Sequence, residues 1–139
     1  KLPQLFHKES TQYSHHRGQI AIVSSVASFL GMPWAPAYCA TKAAIRIWGE
    51  ALRGHLFPDG VEVSVICPGF VRSRMTIDNP YPMPFLMNSA KAARIIRKGL
   101  ERNKPRITFP WPMAVAVWMA TIMPPSLMDP LMRQLPKKV

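Results

Sequence analysis

Tyr38 and Lys42 stand four positions apart in the run Tyr38-Cys39-Ala40-Thr41-Lys42. On a helix that spacing puts both side chains on one face, with Cβ atoms about 5–6 Å apart. A free tyrosine titrates near pH ~10 and is a poor base at neutral pH. An ammonium beside it favours the phenolate and lowers that value, so the phenol could trade a proton with a substrate oxygen. Alone, such a pair is weak evidence, because the spacing is common by chance. Ser25, thirteen positions before Tyr38, alters the balance. It ends an apolar run at the place where open α/β sheets hold their ligands, and its hydroxyl can donate to a carbonyl and stabilise developing alkoxide charge. The bland reading of Ser25 is a serine bonding its own loop backbone, a role that Ser24 fits better.

These residues need elements to position them. Residues Leu2 to Arg17 read as the end of a helix stopped by Gly18. The continuous run Ile20 to Val23 predicts a strand buried on both faces of a parallel sheet. Gly31, Pro33 and Pro36 mark a loop. A helix follows from Ala37 to Phe57, with Ile45, Trp48, Leu52 and Leu56 as its core stripe and Ala44, Ile47 and Ala51 widening it. Pro58-Asp59-Gly60 is a turn, Val61 to Ile66 a second strand, and Phe70 to Asn88 irregular. Ser89 caps a helix over Ala90–Arg102, and Arg106–Phe109 is a third strand. Alternating helices and strands imply a parallel α/β sheet, half of a doubly wound dinucleotide-binding fold. At Pro68-Gly69 the glycine permits a close backbone approach to a ligand and the proline stiffens the strand exit.

The run GQIAIVSSVASFLGMPWAPAYCATKAAIRIWGEALRGHL, followed by VEVSVICPGFVRSRM, resembles the catalytic segment of the short-chain dehydrogenase/reductase family. The resemblance covers 18–76 and implies the second half of a Rossmann domain over 1–109, with 110–139 as an apolar helical tail. It implies an oxidoreductase moving a hydride between NADP or NAD and a carbonyl or alcohol carbon. Tyr38 would be the general acid/base, Lys42 would also bond the nicotinamide ribose, and Ser25 would polarise the substrate. Pro68, Gly69, Phe70, Val71 and Ser73 would meet the nicotinamide end; Ser73 stands where the family carries threonine. Arg72 and Arg74 beside it read as surface cations. The family's glycine-rich phosphate loop is not in this sequence, nor is the residue that chooses NAD or NADP, and its fourth catalytic residue, an asparagine, falls ahead of Lys1. By resemblance, the helix ending near Arg17 and the one from Ala37 form an intersubunit interface, so a dimer or tetramer is expected.

Composition excludes other classes. Forty-eight per cent of the 139 residues are hydrophobic and 18% charged, an ordinary globular balance. The net charge is +11, but the cations are scattered without interleaved aromatics, so nucleic-acid binding is not expected. Cys39 and Cys67 lie in no metal spacing, His7, His15, His16 and His55 have no partner at metal spacing, and no metal site is expected. The unpaired thiols suit a cytoplasmic, reducing setting. The start at KLPQLFHKES, without Met or signal region, reads as a cut inside an element. Ile107 to Met128 carries no charge but is cut by prolines, leaving Met113–Met123 as a helix too short to span a bilayer. It is read either as a wall of the cleft for an apolar ketone or alcohol, the favoured reading, or as a peripheral membrane contact with Trp111, Trp118 and Lys137-Lys138 at the interface. A truncated, inactive homologue serving as an interaction or membrane-surface module is the alternative to an enzyme.

Dinucleotide affinity in this fold rests on pyrophosphate held at a glycine loop and helix N-terminus. The 139-residue chain by itself is therefore expected to be inactive and to bind neither NAD nor NADP at micromolar concentration in isothermal titration. Micromolar binding of either would place the affinity elsewhere.

Overall fold

The computed structural model describes residues 18–72 and 83–134. The helix expected to end at Arg17 lies outside them, as do Ser73, Arg74 and the Lys137-Lys138 pair. The elements run β1 (Gln19–Val23), α1 (Pro36–Leu56), β2 (Glu62–Pro68), α2 (Ser89–Glu101), β3 (Arg106–Phe109), α3 (Trp111–Ile122) and α4 (Pro125–Gln134), with 3-10 turns at Val26–Ser28 and Phe57–Asp59. The three strands form one parallel sheet in the order β1-β2-β3. Gln19 stands opposite Glu62 and Val23 opposite Ile66, while Val65 pairs with Arg106 and Pro68 with Phe109. The α/β architecture expected from the alternation of elements is present.

The core gathers on β2, where every residue from Val63 to Cys67 is buried. Successive side chains point to opposite faces, and each face meets one helix. On one side α1 comes so close that a Cβ on Gly49 would sit 2.7 Å from Val65 and 3.0 Å from Ile22. On the other, Ile66, Ile107, Phe109, Met87 and Ala92 form a cluster with Ile95, Ile96 and Leu100 of α2 packed on it. There Gly99 lies under Ile107, 2.5 Å from where its Cβ would be. Arg53 of α1 closes the far end, donating to Val63 O and to Asn103 Oδ1 and O in the turn before β3.

Several expectations need correction. The strand expected to be buried on both faces, β1, is largely exposed, Ile20 and Val23 included, because it is the edge of the described sheet and β2 the centre. Trp48 does not share the buried stripe of α1; it is exposed with Ala44, Ile47 and Ala51, while Cys39 and Gly49 are buried. An apolar count treats glycine as neutral, yet Gly49 marks the line of closest approach. Asn88, not Ser89, caps α2, its side chain accepting from Ala90 N at 2.7 Å. The tail helix expected at Met113–Met123 is α3; it starts two residues earlier, because Pro112 fits its first turn, where no intrahelical N–H bond is lost, and Pro124 separates it from α4. Pro125 likewise opens α4, a helix that goes beyond the sequence expectation.

A helical glycine costs about 1 kcal/mol relative to alanine, whereas overpacking a core costs about 1–3 kcal/mol. Gly54 has nothing within 4 Å of its would-be Cβ. Gly54→Ala should therefore raise stability by up to about 1 kcal/mol, while Gly49→Ala and Gly99→Ala lower it, as read by denaturant midpoint. Equal shifts for all three would contradict the close seating of the helices.

Candidate active site

Ser25, Tyr38 and Lys42 lie on two elements that meet at the C-terminal end of the sheet. Tyr38 and Lys42 occupy consecutive turns of α1, and the Lys42 Nζ is 5.7 Å from the centre of the Tyr38 ring. Tyr38 is 43% exposed. Neither the phenol hydroxyl nor the ammonium has a hydrogen-bond partner among the described residues. Ser25 follows β1 and is buried. It caps the Val26–Ser28 turn, its Oγ accepting from Ala27 N at 3.1 Å. A hydroxyl that accepts one bond still carries its own O–H to donate.

The local-backbone role that the sequence assigned to Ser24 thus belongs to Ser25. Ser24 reaches across instead: its Oγ donates to the Lys42 carbonyl at 2.7 Å, and its N–H donates to Ile66 O at 2.7 Å. It joins the end of β1 both to β2 and to the turn of α1 that carries Lys42. A second tie holds the loop after Ser25. Phe29 has the Arg46 guanidinium 4.6 Å and the Arg106 guanidinium 5.2 Å from its ring centre. Glu50 joins those cations, with Arg46 Nη1 at 3.1 Å and Arg106 Nε at 2.8 Å from its Oε1. Sequence reading placed Arg46 and Arg106 among scattered charges. The i,i+4 spacing of Arg46 and Glu50 was the available signal; nothing in the sequence pointed to Arg106 of β3.

The Pro68–Val71 loop is braced by the chain itself. Gly69 N donates to Phe109 O at 2.7 Å, and Met87 N donates to Phe70 O at 2.9 Å. A Cβ on Gly69 would lie 2.7 Å from Met113 Sδ and 3.0 Å from Pro110. The glycine is therefore accounted for by the seating of α3. Beneath the loop, Cys67 is fully buried; burial pushes its thiol pKa up, while the Ser28 hydroxyl and the Arg106 and Arg46 guanidiniums pull the other way. A cleft of about 330 Å³ opens between residues 27–31 and the first turns of α1, against Pro36, Cys39, Ala40 and Ala43. It does not include Ser25, Tyr38 or Lys42. Among the described residues no group of His, Cys, Asp or Glu could hold a metal, and no helix is long and apolar enough to cross a membrane.

The sequence and fold have clear relatives. A family model for short chain dehydrogenases matches residues 4–81. An uncharacterised oxidoreductase of Myxococcus xanthus is 40% identical over 134 residues, which is 96% of this chain and 50% of the relative. A short chain dehydrogenase from Burkholderia cenocepacia, solved in complex with NADP, superposes with a TM-score of 0.70 at 22% identity, covering 86% of this chain and 48% of that one. One from Sphingobium yanoikuyae, in complex with NADPH, gives 0.64 at 22% identity over 88% and 47%. The chain thus spans about half the length of the relatives it matches. By the reach of the family model and the Myxococcus likeness together, it belongs to the short chain dehydrogenase family.

Proposed function

We propose that the protein carrying this chain is an NADP- or NAD-dependent oxidoreductase acting on the carbonyl or alcohol carbon of an apolar substrate. The observation that carries this reading is the Tyr38–Lys42 pair: a phenol and an ammonium side by side on α1, both with unspent hydrogen-bonding capacity, at the sheet end that bears Ser25. That donor set suits a nicotinamide ribose and a substrate oxygen together. Lys42, Tyr38 and the Pro68–Val71 loop, with Ser73 beyond it, would hold the cofactor's nicotinamide end. The chemistry such a cofactor would supply, when bound, is the donation or uptake of a hydride at the substrate carbon. In the reducing direction the Ser25 O–H donates to the carbonyl oxygen and disperses its growing charge. Tyr38 gives up its hydroxyl proton to that oxygen as the C–H bond forms, leaving a neutral alcohol and a phenolate held beside the Lys42 ammonium. Oxidation runs the same transfers backwards.

The two unpaired, buried thiols agree with a reducing, cytoplasmic setting. The exposed face of α1, with Ile47 and Trp48 at its centre, favours association of subunits with closed symmetry. Light scattering of the full-length protein at micromolar concentration is expected to give a dimer or tetramer, and a strict monomer would reject that assembly.

For the chemistry, Tyr38→Phe in the full-length protein is the direct test, followed by nicotinamide absorbance over a panel of apolar ketones and alcohols. The substitution removes the proton donor alone, so turnover should fall by about 10²–10⁴-fold with the circular dichroism spectrum unchanged. A near wild-type rate would remove Tyr38 from the mechanism.

A further inference from the structure

A helix that carries reacting side chains on its first turns needs a hold there as well as a seat further along. The seat of α1 is Gly49, pressed against Val65 and Ile22. Lys42 stands seven positions before it, about 10 Å along the axis, and Tyr38 about 16 Å. A tilt of about 5° at the seat would move the Lys42 turn by about 1 Å and the Tyr38 turn by more. A misplacement of about 1 Å is enough to slow a reaction by roughly 10²-fold. Close approach at Gly49 therefore does not by itself fix where the phenol and the ammonium stand.

Two of the bonds from this part of α1 are long and reach only the loop after Ser25: Met32 N donates to Cys39 Sγ at 3.4 Å, and Arg46 Nη2 to Ser28 O at 3.5 Å. Ser24 makes a different kind of tie. It is 3% exposed. Its N–H donates to Ile66 O of the central strand, and its Oγ donates to Lys42 O, each at 2.7 Å. A peptide carbonyl has two lone pairs. One serves the helix, and Ser24 takes the second. The bond is not needed to satisfy an orphaned group, so what it supplies is geometry. Ser25 comes next in the chain, its own Oγ fixed by Ala27 N. One residue and one hydrogen bond thus separate the Ser25 hydroxyl from the turn that carries Lys42. All these partners lie within the described residues.

We propose that Ser24 is a positioning residue. Anchored on β2 through its N–H, its hydroxyl holds the Tyr38–Lys42 turns at the height where the phenol and the Ser25 hydroxyl meet one substrate oxygen. Ser24 acts through the Lys42 backbone and takes no proton itself. The proposal rests on the oxidoreductase reading and adds to it a residue whose effect is on alignment alone.

Ser24→Ala in the full-length protein is the test, with turnover followed by nicotinamide absorbance. The change leaves Lys42 O its helix partner, so no buried acceptor is orphaned, and the thermal midpoint should fall by no more than about 5 °C. The kcat should fall by roughly tenfold to 10²-fold, with KM for the substrate within about threefold of wild type. Added to Tyr38→Phe, and assayed at high enzyme concentration, Ser24→Ala should slow turnover by less than about threefold, because no phenol remains to be aligned. A residue that served the fold alone would cost the same factor in both backgrounds. Should Ser24→Ala not fold, Ser24→Cys takes its place: its weaker donor should lower kcat by about threefold or more, with the same dependence on Tyr38. A Ser24→Ala enzyme within about twofold of the wild-type kcat, while Tyr38→Phe is slow, overturns the positioning role and leaves the oxidoreductase reading standing. Equal factors in both backgrounds, or a loss confined to KM, also overturn it. Tyr38→Phe at the wild-type rate overturns the role given to Tyr38, and this proposal with it.

Discussion

Everything in this half-domain is set by how closely two helices can approach one strand. β2 is buried along its length, and a strand with both faces covered leaves no room for error on either side. α1 reaches it through Gly49 and α2 reaches β3 through Gly99, each glycine standing where a side chain of the sheet already fills the space. The depth of α1 fixes where its first turns emerge past the strand ends, and so where Tyr38 and Lys42 stand relative to Ser25.

Seating alone leaves the helix free to slide or rotate by a fraction of a turn. Ser24 removes that freedom at the end that matters, binding β2 through its N–H and the Lys42 carbonyl through its hydroxyl. Phe29, held by two guanidiniums that share Glu50, does the same for the loop after Ser25. The exposed Tyr38 and the half-buried Lys42, their polar groups unspent, thus rest on neighbours that are fully engaged. That division is what preorganisation requires: rigid support behind groups left open to a ligand.

The sequence made the fold class legible because strand and helix periodicities differ and because proline and glycine punctuate them. It made Tyr38 and Lys42 legible because four positions on a helix is a geometric statement. It failed where meaning depends on a neighbour far along the chain. Ile20, Ala21 and Val23 are exposed because no described element covers the outer side of β1, which their composition alone does not report. Trp48 lies on the exposed side of α1; hydrophobicity does not say which phase of a helix faces the sheet. Arg106 joins Glu50 across fifty-six positions, a pairing that no local pattern encodes. Prolines bound the tail helix as their positions imply, but one at a helix start is compatible with the turn it opens, so the boundary moves by two residues.

Cys39 and Cys67 account for all the sulfhydryls of this chain, and both are buried. Cys67 has no exposed surface, and desolvation works against formation of the thiolate, the form that attacks electrophiles. Within this chain, Cys67 is therefore shielded from alkylating and maleimide reagents. A cysteine placed by design on an exposed position of α1 would react faster than Cys67 and could carry a spin label or a fluorophore.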